Sequence, residues 1–311
     1  MRLQRAGIVA RLLSQWQIQA MAWCGIIFIL VFAYIPMVGI VMAFKDMDHS
    51  FSVIHDLIHA PWVGLTFFKE FFHDDRFADI LKNTVGLNLL QLLINFPAPI
   101  IFAIMISEVF HTKLKKFVQS LSYLPHFLSW IVFGGIIITL VSQDSGVVNP
   151  LLIKLGFLHK PFDFLGDPNH IWGLIIVTSL LKGLGWGSII YLAAITSIDT
   201  TLFEAATIDG AGRFNKIWNV TLPSISGTIL IFFLLSIGNL LNSSFDQIWI
   251  FQSPLNLERS EVIDTFVYRV GIKEMRFSYT TAVGVFKSLI ALLLLISGHY
   301  TSKKIAGRGL F

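Results

Sequence analysis

Charge is scarce in this sequence. Asp, Glu, Lys and Arg make up 14% of its 311 residues, against roughly a quarter in ordinary soluble domains. That deficit excludes a water-facing surface over most of the chain. Cysteine is scarcer still. Cys24 stands alone, so no internal disulfide can form, and it reads as a small apolar side chain in a core or facing lipid. No segment matches G-x-x-x-x-G-K-[ST], and no Gly-Lys dipeptide occurs. Without a phosphate-cradling loop the chain is not expected to hydrolyse ATP by itself or to bind a cofactor. H-E-x-x-H, C-x-x-C and G-x-S-x-G are also missing, and no catalytic residue is nominated. The nine histidines, His49, His55, His59, His73, His111, His126, His159, His170 and His299, are dispersed rather than clustered. A metal site is not expected.

Hydrophobic side chains are what the sequence has in excess. They form 55% of it, with 28 phenylalanines, and the mean hydropathy is +0.72. Long apolar runs fall at residues 20–44, 84–106, 127–141, 171–198, 225–251 and 282–300. The first is too long for a signal-peptide core and long enough to cross about 30 Å of hydrocarbon at 1.5 Å per residue. It should remain in the mature protein. The third run, 127–141, is short for a span. None alternates with period two, and lipid admits only helices or closed barrels. The expected fold class is therefore all-α, a polytopic membrane protein with about six transmembrane helices.

Basic residues set the expected orientation. Arg2, Arg5 and Arg11 precede the first run, and Lys113, Lys115 and Lys116 follow the second. Arg213 and Lys216 follow the fourth, and Lys303, Lys304 and Arg308 follow the last. With six spans these segments share one side, the cytoplasm, and both termini lie there. Residues 1–19 read as a cytoplasmic segment ahead of a transmembrane domain, 20–311. The loop 45–83 is long and acidic, with Asp46, Asp48, Asp56, Glu70, Asp74, Asp75 and Asp79, as an external loop can be. Within it 65–72 reads as a partial helix with an aromatic face. Asp163–His170 reads as an irregular turn, and Asn149-Pro150 and Ser253-Pro254 read as bends.

The loop at about 199–223 is the informative one. Thr201 and Glu204 have the T-x-x-E spacing of a capping box, so a helix can start at Leu202. Ala205 and Ala206 favour helix and leave a smooth, closely approachable surface. Gly210 and Gly212 permit a sharp turn. Phe214, Ile217 and Trp218 give a second helix one apolar face, and Pro223 is expected to stop that helix before the fifth span. Periodicity alone fits an amphipathic helix resting on the membrane equally well.

The residue pattern is more specific than the periodicity. Glu204-Ala205-Ala206, three residues, Gly210, nine residues, Val220, one residue, Leu222-Pro223 resembles the EAA loop of ABC importer permeases. Val220 stands where that family prefers isoleucine. Ile208-Asp209-Gly210-Ala211 looks like the form common in sugar-importer permeases, and the nearest branch is that of the LplB-like permeases for oligosaccharides and polysaccharide fragments. The resemblance implies a type I importer permease fold in which the loop is a coupling helix, docked by Glu204, Ala205, Ala206, Asp209, Gly210, Gly212, Leu222 and Pro223. It further implies two cytoplasmic ATPase subunits, which carry the ATP and magnesium, and a second, related permease chain. An extracytoplasmic solute-binding protein would complete the assembly in a bacterial cytoplasmic membrane. Lipid is a further partner, and nucleic acid is not. The competing reading is an ion-coupled secondary transporter or channel without an ATPase, for which Asp246 is the acidic candidate within the runs. A membrane-embedded enzyme would need clustered catalytic groups, and none is found.

Polar side chains within the runs suggest where a solute passes. Thr84, Asn88, Gln91 and Asn95 recur at helical spacing, ahead of Pro97 and Pro99, which should kink or break the helix. Ser179, Lys182 and Trp186 form a second stripe, and Asn239, Asn242 and Asp246 a third. Amides, carboxylates and flat aromatic faces suit a sugar. The same stripes equally suit interhelical hydrogen bonding. Lys182 could pair with Asp246, snorkel to an interface, or line an aqueous cavity, where it would suit an anionic substrate.

Overall fold

The computed structural model describes residues 15–49 and 52–306. Most of the 1–19 segment, including Arg2, Arg5 and Arg11, lies outside the described residues, as does Arg308. Helix α1, Trp16–Ile29, continues through a π-helical stretch, Leu30–Tyr34, and ends in a 3-10 stretch, Val38–Phe44. Short helices α2, Val53–His59, and α3, Thr66–His73, follow. Helices α4, Phe77–Asn95, and α5, Pro97–Ser107, make one span. Helices α6, Thr112–Phe127, and α7, Trp130–Val141, meet at a bend of 103°. Short α8, Val148–Lys154, precedes the 26-residue α9, Ile171–Thr196. Helix α10, Thr200–Ile208, turns into α11, Arg213–Lys216, which runs through a π-helical stretch, Ile217–Thr221, into α12, Leu222–Gly238. Three short helices, α13, Phe245–Phe251, α14, Leu257–Ser260, and α15, Ile263–Tyr268, lead to α16, Phe277–Ala306. Among the described residues five helices are long and apolar enough to cross a membrane, or six if the bent pair counts as one.

Several expectations are corrected. The third span is not a short helix at 127–141 but two helices either side of an elbow. Pro97 and Pro99 do interrupt the helix, at Phe96, as expected, but the span continues across the interruption. Phe96 keeps right-handed helical angles and Pro97 occupies the first turn of α5, where a missing N–H costs little. Asn149-Pro150 falls in the first turn of α8, for the same reason, rather than at a bend. Pro223 likewise does not stop α11. Its ring crowds the carbonyl four residues back, and the helix absorbs this by widening into the π-helical stretch Ile217–Thr221. The fifth span therefore covers Arg213–Gly238 rather than 225–251. It ends where Asn239 Nδ2 returns to Leu235 O at 3.1 Å and Asn242 Nδ2 to Asn239 Oδ1 at 3.1 Å, side chains competing with the helical ladder.

The chain divides into two compact units. One comprises Met1–Phe72 and Val270–Val285. In it Phe67 and Phe71 of α3 are buried, so the predicted aromatic face is a packing face. Arg276 donates to both carboxylate oxygens of Glu70, at 2.8 and 3.0 Å, and to Asp48 Oδ2 at 3.0 Å. These carboxylates, Glu70 foremost, hold the guanidinium proton above its ordinary pKa. Nearly every side chain of α1 is exposed, an apolar surface suited to lipid or a partner.

The second unit comprises His73–Arg269 and Phe286–Phe311. Helix α9 is its axis and packs on α4, α5, α6 and α12. One core joins Leu87, Phe133, Ile137, Ile171, Ile175, Ile248 and Phe251, and another joins Ile100, Ala103, Ile106, Tyr191, Ile195 and Ile225. Gln247, fully buried, donates to Ile175 O at 2.6 Å and Thr178 Oγ1 at 2.9 Å, fastening α13 to α9.

Candidate functional site

Two features stand out, and the first is a cavity of about 620 Å³ within the second unit. Helix α4 supplies Asn88, Gln91 and Asn95, α9 supplies Ser179, Trp186 and Tyr191, and the broken end of α12 supplies Asn239 and Asn242. Every polar side chain lining it is uncharged. The stripes of α4 and α9 thus converge on one space because their 3.6-residue periodicity turns those positions inward together.

The lining is partly tied down and partly free. Asn88 Nδ2 donates to Ser243 Oγ at 2.9 Å, and the Ser243 N–H donates to Asp264 Oδ2 at 2.9 Å. Lys287 Nζ completes the chain, at 2.5 Å from Asp264 Oδ1. Asn95 differs, because both atoms of its amide are buried without a hydrogen-bond partner. Such a group loses about 1–3 kcal/mol of solvation unless something satisfies it. Trp186 stacks one face on the His126 imidazole, with centroids 4.4 Å apart and planes within 2°.

Three residues of the expected stripes are elsewhere. Thr84 is fully buried, donating to Ile80 O at 2.7 Å and accepting the Ile263 N–H at 2.9 Å. Lys182 does not line the cavity. Its ammonium donates to Pro125 O and His126 O, each at 3.0 Å, and to Leu128 O. Asp246 is exposed in the first turn of α13 and neither lines the cavity nor meets Lys182. The third stripe is not one helical face, because the chain leaves helix at 239–244. Sequence reading passed over Asp264 and Lys287. The signal was present for Lys287, a lysine inside the 282–300 run as conspicuous as Lys182.

The second feature is the loop from Asp199 to Pro223. Helix α10 starts two residues earlier than the Thr201/Glu204 box suggests. Asp199 is the N-cap, and its Oδ1 accepts the Thr201 N–H at 2.9 Å. That bond, with the Thr201 hydroxyl, holds the Asp199 carboxyl below the usual aspartate pKa. At the other end Gly210 takes φ +77°. Ala211 N–H donates to Ala206 O at 2.8 Å and Gly210 N–H to Thr207 O at 3.1 Å, the paired bonds of a Schellman stop. Gly212 keeps a negative φ and opens α11. Lys216 Nζ reaches Thr207 Oγ1 at 2.8 Å and ties the two helices. Glu204, Ala205, Asp209, Gly210, Gly212 and Pro223 are exposed, Ala206 and Leu222 half-buried. Ile208 and Phe214, each 87% exposed, and Trp218, 73% exposed, add an unburied apolar surface.

A helical bundle of five or six spans, with an uncharged polar cavity and a capped, exposed helix-turn-helix loop, defines a membrane permease. The chain belongs to the family described as the binding-protein-dependent transport system inner membrane component, which matches residues 78–307. It is 39% identical to Protein LplB of Bacillus subtilis (strain 168), over 92% of this chain and 88% of that protein. It is 38% identical to the polygalacturonan/rhamnogalacturonan transport system permease protein YteP of the same organism, over 99% of this chain and 94% of the relative. Its fold superimposes on a chain of a bacterial ABC transporter involved in the import of the acidic polysaccharide alginate. There the TM-score is 0.86 at 36% identity, covering 95% of this chain and 98% of the other.

Proposed function

We propose that this chain is one permease half of an ATP-driven importer for an oligosaccharide or polysaccharide fragment. The observation that carries the substrate class is the cavity wall. Uncharged amides and hydroxyls can exchange hydrogen bonds with sugar hydroxyls, and the exposed Trp186 offers a flat face to the apolar side of a ring. The names of the related permease YteP and of the alginate importer support that class. A second, related permease chain would face this one across the path, and a solute-binding protein would deliver the saccharide. The loop 199–223 would dock on one of two cytoplasmic ATPases, whose ATP and magnesium drive alternating access. Both termini and this loop would then lie on the cytoplasmic side of a bacterial cytoplasmic membrane.

The test uses the importer purified from its host with its binding protein, in proteoliposomes supplied with labelled oligogalacturonate or alginate pentasaccharide. Asn95→Leu is expected to lower uptake about tenfold, the equivalent of one lost polar contact of about 1.4 kcal/mol, while ATPase subunits still copurify. Glu204→Lys should release or uncouple the ATPases. Full uptake by Asn95→Leu would overturn the cavity reading. A wild-type chain that purifies without any ATPase would overturn the importer reading.

A further inference from the structure

Lys182 sits near the middle of an apolar 26-residue helix and is 9% exposed, yet among the described residues no carboxylate pairs with it. A lysine in that setting normally marks a substrate path or an ion pair. Here the ammonium is taken up instead by the elbow of the bent span. Helix α6 ends at Phe127, so its last carbonyls have spare accepting capacity, and that of Pro125 takes only a long bond, 3.3 Å, from the capping Leu128 N–H. Those of Pro125 and His126, with Leu128 just beyond, all accept from Lys182 Nζ. The helix dipole places negative potential at that end. The Trp130 and Phe133 rings of α7 add cation–π faces at 5.3 and 5.7 Å. The cation therefore binds both arms of the 103° elbow to α9.

The residues around it show what this accomplishes. Gly185 lies against the Ser122 backbone, where a Cβ would collide with the carbonyl, so α6 runs in direct contact with α9. One turn beyond Lys182, Trp186 faces the cavity on one side and the His126 ring on the other. Phe127 meets the same indole edge-on at 5.8 Å. His126 thus offers its carbonyl to Lys182 and its ring to Trp186.

We propose that Lys182 is a positioning residue for transport: by holding the carbonyls of the 125–128 elbow it keeps the His126 ring against Trp186 and so fixes the aromatic wall of the cavity. Its charge is consumed by backbone and does not select anionic substrates. The inference rests on the cavity reading above for its bearing on transport, but its physical part can be measured without any saccharide.

In the purified importer, the fluorescence of Trp186 is isolated as the difference between wild type and Trp186→Phe, and its quenching by acrylamide is recorded. Lys182→Met and His126→Ala should each raise quenching at least about twofold as the stack opens. His126→Phe, which retains a planar ring, should leave it at the wild-type level. In uptake with the oligosaccharide probes above, Lys182→Met and Trp186→Leu should each lower the rate about tenfold. The double variant should be no worse than Trp186→Leu, rather than about a hundredfold down, because both act through one ring. Unchanged quenching in Lys182→Met and His126→Ala overturns the inference, as does additive loss in the double variant. If Lys182→Met fails to assemble, His126→Ala against His126→Phe decides alone. An uptake effect absent in Trp186→Leu itself would instead sink the cavity reading and leave the quenching result standing.

Discussion

Gly210 shows how one residue carries a structural demand that its motif only hints at. Its φ of +77° belongs to the left-handed region, where a Cβ meets the following carbonyl at a cost of about 1–2 kcal/mol. Gly210→Ala should therefore destabilise the end of α10 by about 1 kcal/mol and loosen the two stop bonds to Ala206 O and Thr207 O. Faster amide exchange at Gly210 and Ala211, with weaker retention of ATPase subunits, is the expected readout. Unchanged exchange would mean the turn tolerates a side chain. Both glycines lie in the turn the motif implies, but only Gly210 is left-handed, while Gly212 keeps a negative φ as the residue before α11. Both are glycines two positions apart, and only the hydrogen bonds distinguish the one that must be left-handed. The partners of Lys182 are illegible in the sequence for a related reason. A charge in an apolar run announces that something compensates it, but backbone carbonyls leave no mark in a sequence as a carboxylate does.

At the scale of elements, long spans were legible because length and apolarity define them, and their interruptions were not. The break at 239–244 sits where the Asn239 side chain returns to Leu235 O, and the elbow at Phe127–Trp130 where Ser129 caps a new helix by accepting the Val132 N–H, and such local bonds have no periodic signature. The start of α10 belongs here as well. Asp199 has a lower pKa folded than unfolded, because its carboxylate accepts the Thr201 N–H. Its contribution to the helix is therefore fully present above the unfolded value, about 3.9, and fades as pH falls through the lower folded value. Amide exchange at Thr201, corrected for intrinsic rates, should accelerate on acidification in wild type. In Asp199→Asn, which keeps a capping oxygen without a titration, it should not. The Asp264–Lys287 pair binds α15 to α16 with side chains 24% and 14% exposed. Asp264→Asn alone leaves a lysine uncompensated in an apolar setting and should cost about 3 kcal/mol, whereas Asp264→Asn with Lys287→Met should regain most of it. Thermal denaturation of the purified importer compares the two. Equal losses would mean the pair contributes through packing rather than charge.

For the whole molecule the open quantity is the number of crossings, because the bent pair α6–α7 counts as one span or none. The distinction fixes everything downstream of it. If the pair crosses, the loop 142–170 lies outside, and α10 lies on the same side as the turn between α5 and α6. If it turns back, 142–170 shares the side of that turn, and α10 emerges on the face opposite a cytoplasmic ATPase. The basic residues Lys113, Lys115, Lys116, Arg213 and Lys216 favour a crossing, since only then do they share a side. The single cysteine makes the experiment clean. With Cys24→Ser as background, Thr112→Cys and Gln143→Cys each place one exposed thiol either side of the bent pair. A membrane-impermeant maleimide applied to intact cells should label Gln143→Cys, and should label Thr112→Cys only after permeabilisation. Labelling of both sites only after permeabilisation would make α6–α7 re-entrant. In that arrangement α10 could not reach a cytoplasmic ATPase, so the coupling role proposed for Glu204, Ala205 and Gly210 would fall with the sixth span.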